Sequence, residues 1–189
     1  CFAVTAGHDL TFSNMIFHGT VQILKNGAAR DVTIVDCTFK DDLQNNGNPR
    51  AESGNSFVSY CVNVYPNCCA RCFLVGNTFY QKRRAAIATD GADNVVYVYK
   101  NKFYGQRDNN TDSESGYKFP TIQGNDFAEI YYEENLLSGE FVQGCVTVCK
   151  SSSKLVVRGN TFDSTQNYIW SLKNNGETPT LYFGGNVYE

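Results

Sequence analysis

Apolar and polar residues alternate in short runs that recur along the whole 189-residue chain. Seven eight-residue copies share an apolar first position, an apolar third position and an aromatic or leucine eighth position. They read LTFSNMIF (10–17), VTIVDCTF (32–39), CFLVGNTF (72–79), VYVYKNKF (96–103), IYYEENLL (130–137), LVVRGNTF (155–162) and LYFGGNVY (181–188). The copies start 22, 40, 24, 34, 25 and 26 residues apart. This near-constant period indicates a repeat protein.

Each copy predicts a short strand followed by a turn. Because successive side chains of a strand point to opposite faces, the first and third positions are expected to face the core, with the eighth as an aromatic anchor. A second β-rich run begins about eleven residues before most copies, and reads TVQILKNG, SYCVNVYPN, AAIATDG, KFPTIQGN, GCVTVCKS and YIWSLKNN. One period therefore holds at least two strands, and the sequence shows no helical pattern.

The sixth position of the repeat is asparagine in five consecutive copies. These residues are Asn77, Asn101, Asn135, Asn160 and Asn186, after Met15 and Cys37 in the first two copies. Successive coils of a parallel solenoid lie about 4.8 Å apart, so these side-chain amides can form a hydrogen-bonded ladder. Because asparagine tolerates a left-handed backbone, we expect the sharp turn of each coil at this position.

This combination of short strands, an asparagine ladder and a stack of aromatic anchors resembles the right-handed parallel β-helix superfamily. That group includes pectate lyases, polygalacturonases, phage tailspikes and repeat-built adhesins. The resemblance implies an all-β solenoid of about seven to eight coils, with residues 1–189 as a single domain of a longer chain. A leucine-rich repeat has a similar period, but its leucine signature and helical segment are missing from the sequence.

The two ends of the chain fall inside coils, which would expose strand edges. We therefore expect flanking domains or other subunits to cap the coil ends, with a homotrimer as one arrangement. The formal net charge is −3 and the pI is about 5.4, which does not favour nucleic acid as a partner. No apolar run reaches the roughly 18–20 residues of a membrane span.

Two long intervals contain polar insertions directly after the aromatic anchor, at residues 40–56 and 104–118. Both are expected as loops on one side of the solenoid, either as a binding face or as solvated decoration. The segment DNNTDSESG (108–116) has acidic residues that suit Ca²⁺ but lacks an EF-hand spacing, so no cofactor is assigned.

Eight cysteines are spread through the repeat. Cys72 occupies a core position and Cys37 an asparagine position, so both are expected to be buried thiols. The disulfide status of Cys61, Cys68, Cys69 and Cys72 is open: Cys61 can pair with the CCARC segment (68–72), which can instead help to bind a metal. Reduced cysteines suit a virion protein assembled in cytosol or a surface protein of an anaerobe, so we expect an extracellular, cell-surface or virion location.

The second and fourth repeat positions are expected to face outward. They supply an aromatic strip and two neighbouring charges, formed by Phe73, Tyr97, Tyr99, Tyr131 and Tyr182 with Glu133 and Arg158. Aromatic surfaces beside hydrogen-bonding charges suit a sugar ring, and in β-helix enzymes the polysaccharide groove also crosses an outer sheet face. The alternatives are that the rings only stabilise the sheet, that the charges form a surface ion pair, or that another subunit covers the face.

The segment ATDGAD (88–93) is similar to the NTDG element of polygalacturonases, whose paired carboxylates activate water and protonate the leaving oxygen. The Asp-Asp pair, the Gly-His-Gly and the Arg-x-Lys that follow in that family are missing or out of order, so catalytic residues are unknown. The leading hypothesis is a non-catalytic adhesin or tail-shaft module that contacts a polysaccharide or cell-surface glycan. The alternatives are part of a polysaccharide lyase or glycoside hydrolase of the tailspike type, and a pure assembly scaffold.

Overall fold

A computed structural model describes residues 2–5, 7–23, 30–40, 60–64, 71–81, 85–105, 121–141, 143–148, 154–165, 168–172 and 180–189. All regular secondary structure within these ranges is β-strand. The strands form three parallel sheets of seven strands each, here called sheets I, II and III. Both polar insertions lie outside the described residues except at their first positions, as do Cys68 and Cys69.

Sheet I contains the β-rich runs that precede the repeat copies. Its strands are β1 (Phe2–Val4), β4 (Val21–Ile23), β7 (Val62–Val64), β10 (Ile87–Asp90), β13 (Ile122–Asp126), β16 (Gln143–Val148) and β19 (Tyr168–Leu172). The predicted existence of a second strand in each period is confirmed here.

Sheet II contains the first part of each repeat copy. Its strands are β2 (Thr11–Ser13), β5 (Val32–Val35), β8 (Arg71–Val75), β11 (Val95–Tyr99), β14 (Glu129–Glu133), β17 (Lys154–Arg158) and β20 (Thr180–Gly184). Equal repeat positions are register partners, for example Cys72 with Val96 and Val96 with Ile130. The alignment of the copies therefore gives the sheet register directly.

Sheet III carries the aromatic anchors. Its strands are β3 (Ile16–His18), β6 (Thr38–Lys40), β9 (Thr78–Gln81), β12 (Lys102–Gly105), β15 (Leu136–Glu140), β18 (Thr161–Thr165) and β21 (Val187–Tyr188). The eighth repeat position is thus part of a third strand in each period. In all three sheets, hydrogen-bonded neighbours are every third strand of the chain, which is consistent with a β-helix solenoid.

The core lies between the three sheets and is filled by inward-facing apolar side chains. In β5, β8 and β11 the first and third repeat positions are fully buried, as the pattern predicts. Four anchors stack face to face, with ring centroids 4.9 Å apart for Phe17 and Phe39, 4.7 Å for Phe39 and Phe79, and 4.9 Å for Phe79 and Phe103.

The five repeat asparagines are hydrogen-bonded one above another. The side-chain nitrogen of Asn101 donates to the Leu74 carbonyl at 2.8 Å and to Oδ1 of Asn135 at 3.1 Å. Its Oδ1 accepts from the backbone N–H of Asn77 at 2.8 Å. The same contacts recur at Asn77, Asn135 and Asn160. Asn186 donates to the Val157 carbonyl at 3.1 Å, and its Oδ1 accepts from the backbone and the side chain of Asn160.

A cysteine takes the place of asparagine one coil earlier. The Cys37 thiol lies 3.6 Å from the Phe12 carbonyl, the position that an asparagine amide would contact. Its backbone N–H donates to Oδ1 of Asn77 at 2.9 Å. Cys37 and Cys72 are both buried, as predicted from their repeat positions.

The left-handed turn lies one residue earlier than the sequence predicts. Residues with φ between 51° and 67° occupy position five of every copy: Asn14, Asp36, Gly76, Lys100, Glu134, Gly159 and Gly185. The expectation that the asparagines adopt this conformation is therefore wrong. The asparagine side chain must enter the core to reach its partners, so the chain turns at the preceding residue. Where that residue has a side chain, it is exposed to solvent.

Candidate functional site

Three members of the aromatic strip form a continuous ring stack on the outer face of sheet II. Phe73, Tyr97 and Tyr131 are register partners, and successive ring centroids are 4.7 Å apart with planes within 8° of parallel. Each face of the Tyr97 ring is therefore covered by a neighbouring ring. A sugar ring cannot lie flat on Tyr97, so this part of the strip stabilises the sheet by cross-strand stacking.

Tyr131 ends this stack and belongs to a charged cluster. The Lys154 ammonium donates to the Tyr131 hydroxyl at 2.7 Å and lies 3.6 Å from the Glu129 carboxylate. The Tyr131 hydroxyl in turn donates to Glu129. Both Glu129 and Lys154 precede position one of their copies, so the sequence analysis missed them. Extending the period-two alternation by one residue would have placed both on the outer face.

The cluster favours protonated side chains. The hydrogen bond to the Glu129 carboxylate raises the pKa of Tyr131, because the hydroxyl must keep its proton to donate. The hydrogen bond to Tyr131 is the main reason why the pKa of Lys154 is raised. At neutral pH both Tyr131 and Lys154 carry their protons, whereas a general base must be deprotonated to accept one.

The two predicted charges of the site form an ion pair across neighbouring strands. A terminal nitrogen of Arg158 lies 2.6 Å from Glu133, whereas the Arg158 side chain remains 68% exposed. Tyr99 does not join the ring stack. Its hydroxyl donates to Glu134 at 3.1 Å, and the Lys100 ammonium lies 4.8 Å from its ring centroid.

The opposite end of the ring stack is closed by a second charge pair. Arg71 donates two hydrogen bonds to Asp31, at 2.7 and 2.6 Å, and its guanidinium carbon lies 6.0 Å from the Phe73 ring centroid. The Arg71 guanidinium lowers the pKa of Asp31. Asp31 and Arg71 also precede position one and were missed for the same reason as Glu129.

A groove of about 700 Å³ crosses β14, β17 and β20. Its lining residues are Tyr131, Glu133, Lys154, Val156, Arg158, Leu181, Tyr182, Phe183 and Gly184. The groove brings together four of the predicted residues, and it does not include Phe73, Tyr97 or Tyr99. Its far end follows the edge of β20 to the side chains of Leu181 and Phe183, which occupy inward repeat positions.

The ATDGAD segment, which is similar to the polygalacturonase element, lies away from this groove. Asp90 is the last residue of β10 in sheet I, whereas the groove crosses sheet II. Among the described residues, no cluster of three or more His, Cys, Asp or Glu side chains is suited to hold a metal ion.

Comparison with known proteins gives no relative for this chain. No family model matches it, and no curated protein or solved structure matches it either. In the part of the chain that the structure describes, no helix is long and apolar enough to cross a membrane.

Proposed function

We propose that this chain is a right-handed parallel β-helix of about seven coils that acts as a non-catalytic glycan-binding module of a cell-surface or virion protein. The adhesins and tailspikes of the superfamily that it resembles suggest this setting. The site would be the groove over β14, β17 and β20. The observation that carries the proposal is the convergence of Tyr131 and Tyr182 with Glu133, Lys154 and Arg158 around one open groove.

The chemistry of this groove suits a carbohydrate. A pyranose ring has apolar C–H faces and hydroxyl edges, so it needs an aromatic face together with hydrogen-bond donors and acceptors. Tyr182 is 55% exposed and offers such a face. The Arg158–Glu133 pair beside it provides both a donor and an acceptor.

Assembly scaffolding is the second candidate function, and the ring stack favours it. Both faces of Tyr97 and one face each of Phe73 and Tyr131 are covered by stacking, which stabilises the sheet and leaves no face of Tyr97 for a ligand. A polysaccharide-cleaving function has less support. The raised pKa values of Tyr131 and Lys154 move both groups away from general-base chemistry at neutral pH.

The proposal is tested by probing an oligosaccharide array with the purified chain and with Tyr182→Ala. We expect at least one glycan to be retained and Tyr182→Ala to lose about 90% of that signal, since an exposed aromatic contact is removed. Tyr104→Ala is the matched control, because Tyr104 stacks on Tyr80 in sheet III, away from the groove. Incubation with the bound glycan should produce no new reducing ends, which would report cleavage of glycosidic bonds. It should also produce no increase in absorbance at about 235 nm, which would report a lyase product. An array without any retained glycan rejects the binding function and leaves the scaffold.

A further inference from the structure

The outward aromatic column of sheet II lacks one ring. At position two, Phe73, Tyr97 and Tyr131 follow one another on consecutive strands; Val156 comes next and Tyr182 after it. Tyr131 and Tyr182 are thus two strand spacings apart, about 9.5 Å along the sheet. The side chain of Val156 is 7% exposed and forms the floor of the gap. The gap is one ring wide.

The free face of the Tyr131 ring turns towards this gap, because its other face stacks on Tyr97. The Lys154 ammonium lies between the two tyrosines, 4.7 Å from the Tyr131 ring centroid and 5.9 Å from the Tyr182 ring centroid. Its hydrogen bond of 2.7 Å to the Tyr131 hydroxyl places it at the hydroxyl edge of that ring. Lys154 is 38% exposed on a four-carbon chain, so it can leave the gap and keep its contact with Glu129.

The sides of the gap carry balanced charge. Lys154 and Glu129 stand on one side, and Arg158 and Glu133 on the other. Two basic and two acidic groups give no net charge, so the gap has no electrostatic preference for an anionic or a cationic ligand. The same groups provide hydrogen-bond donors and acceptors on both sides, which suits hydroxyl groups.

We propose that the gap between Tyr131 and Tyr182 binds a single uncharged pyranose ring, inserted edge-on above Val156. The ring would place one C–H face on each tyrosine, and its hydroxyls would meet the two ion pairs. A floor below and an ion pair on each side prevent a polymer from passing through, so the residue bound is the terminal sugar of a chain. This inference rests on the proposed glycan-binding function and assigns it a ligand class and a binding mode.

The test fills the gap with a ring from the protein itself. Val156→Tyr completes the aromatic column, so it should keep the unfolding temperature and weaken glycan binding by about tenfold or more. Thr33→Tyr is the matched control, because Thr33 pairs with Phe73 at the other end of the column. Titration calorimetry would use cellohexaose, mannohexaose and xylohexaose as neutral probes and trigalacturonate as the charged probe. A second variant, Tyr182→Leu, removes one wall at an exposed position and should also weaken binding by about tenfold.

Each result decides the inference. Loss of neutral-probe binding in both Val156→Tyr and Tyr182→Leu, with Thr33→Tyr unchanged, supports it. Retained binding in Val156→Tyr rejects the gap as the binding site but leaves the rest of the groove as a glycan site. Tighter binding of trigalacturonate than of the neutral probes rejects an uncharged sugar as the ligand. If Val156→Tyr does not fold, undiminished binding in Tyr182→Leu rejects the gap. No binding of any probe or arrayed glycan by the unmodified chain rejects the proposed function itself.

Discussion

At the corner between sheets II and III, two adjacent residues have different roles. Position five adopts the left-handed conformation and faces solvent. Position six, where it is asparagine, places its side-chain amide in the core. Lys100 and Glu134 adopt this conformation although a side chain makes it unfavourable by about 1–2 kcal/mol. The buried hydrogen bonds of the following asparagine offset this local strain.

Among the glycines that the structure describes, Gly139 has the closest backbone neighbour at the position of an added Cβ atom. Its φ is +97°, and a Cβ atom added there would lie 2.6 Å from the carbonyl oxygen of Gly105. Gly139→Ala should therefore lower the free energy of unfolding by about 2–4 kcal/mol, from backbone strain and steric overlap together. Gly184→Ala is the control, because a Cβ atom there meets nothing within 4 Å and should change stability by less than about 0.5 kcal/mol. Chemical denaturation of both variants checks the difference, and equal losses would contradict it.

The Tyr131–Lys154 cluster predicts a stability contribution that disappears at alkaline pH. Both pKa values are raised in the folded protein above their ordinary values of 10.0 and 10.5. A group with a raised pKa stabilises the fold below its unfolded pKa, and this contribution is lost as the pH rises through the folded value. The stability difference between the unmodified chain and Tyr131→Phe should stay constant up to about pH 10 and shrink above it. Denaturation at a series of pH values measures it, and a difference that grows above pH 10 would count against the cluster.

At the scale of strands, a large side chain at position three in sheet II compensates for a small one at position eight in sheet III. The anchor column has Leu137 between Phe103 and Phe162, and the tyrosine ring of position three in the same copy fills the vacated space. The Tyr132 ring lies 5.8 Å from Phe103, and its hydroxyl bonds to Thr121 at 3.0 Å inside the core. A small anchor and a large inward residue therefore compensate for each other.

This exchange predicts a coupled pair of substitutions. Leu137→Phe alone should overpack the core and destabilise by about 1–3 kcal/mol, and Tyr132→Val alone should leave a cavity that lowers stability by about 3–5 kcal/mol. The double variant restores the arrangement of the neighbouring coils, so its loss should be at least about 1 kcal/mol smaller than the two single losses combined. A double-mutant cycle from denaturation curves measures this coupling. Strict additivity would show that the two side chains do not share space.

The parts of the fold that could be predicted are those in which the same repeat position is buried in successive coils. Positions one, three, six and eight are buried in the five copies between Val32 and Phe162, so their residue types repeat and the copies align in register. The third strand is less visible because only its anchor faces inward. The sequence favours Asn77 and its equivalents over Gly76 and its equivalents for the corner conformation, because position five is exposed and its residue type varies.

The candidate site could be predicted only in part. Outward positions identified Tyr131, Tyr182, Glu133 and Arg158, which the groove brings together. Sequence alternation gave no information on ring orientation, so it did not show that the faces of Tyr97 are covered. The gap is marked by an absent ring at Val156, and a missing aromatic residue is a weak signal in a variable column.

In the whole molecule, energetic coupling should be short-ranged. Each strand makes its main contacts with the adjacent strands of its own sheet, as expected of a repeat structure in which every coil contacts only its neighbours. The asparagine ladder crosses several coils, yet each member bonds only to the coils directly before and after it. The ladder therefore links neighbours without linking the two ends.

Pairs of ladder substitutions test this range. Asn77→Ala, Asn101→Ala and Asn160→Ala should each destabilise by about 1–3 kcal/mol for every buried group left without a partner. The losses for Asn77 and Asn160, about 14 Å apart, should add within about 0.5 kcal/mol. Asn77 and Asn101 share hydrogen bonds and should depart from additivity by more than that. Thermal and chemical denaturation of the double variants gives both values, and strong coupling between Asn77 and Asn160 would contradict a nearest-neighbour structure.

The exposed residues at position five can carry labels for distance measurements along the solenoid. Position five accepts Asn, Asp, Gly, Lys and Glu, and its described members are wholly or partly exposed to solvent. Successive members lie about 4.8 Å apart along one line, with the rigid ladder directly behind them. The backbone attachment points of spin labels or fluorophores at two such corners would be separated by multiples of about 4.8 Å. The distance between two labelled corners, measured by spectroscopy in solution, should therefore increase with the number of coils between them.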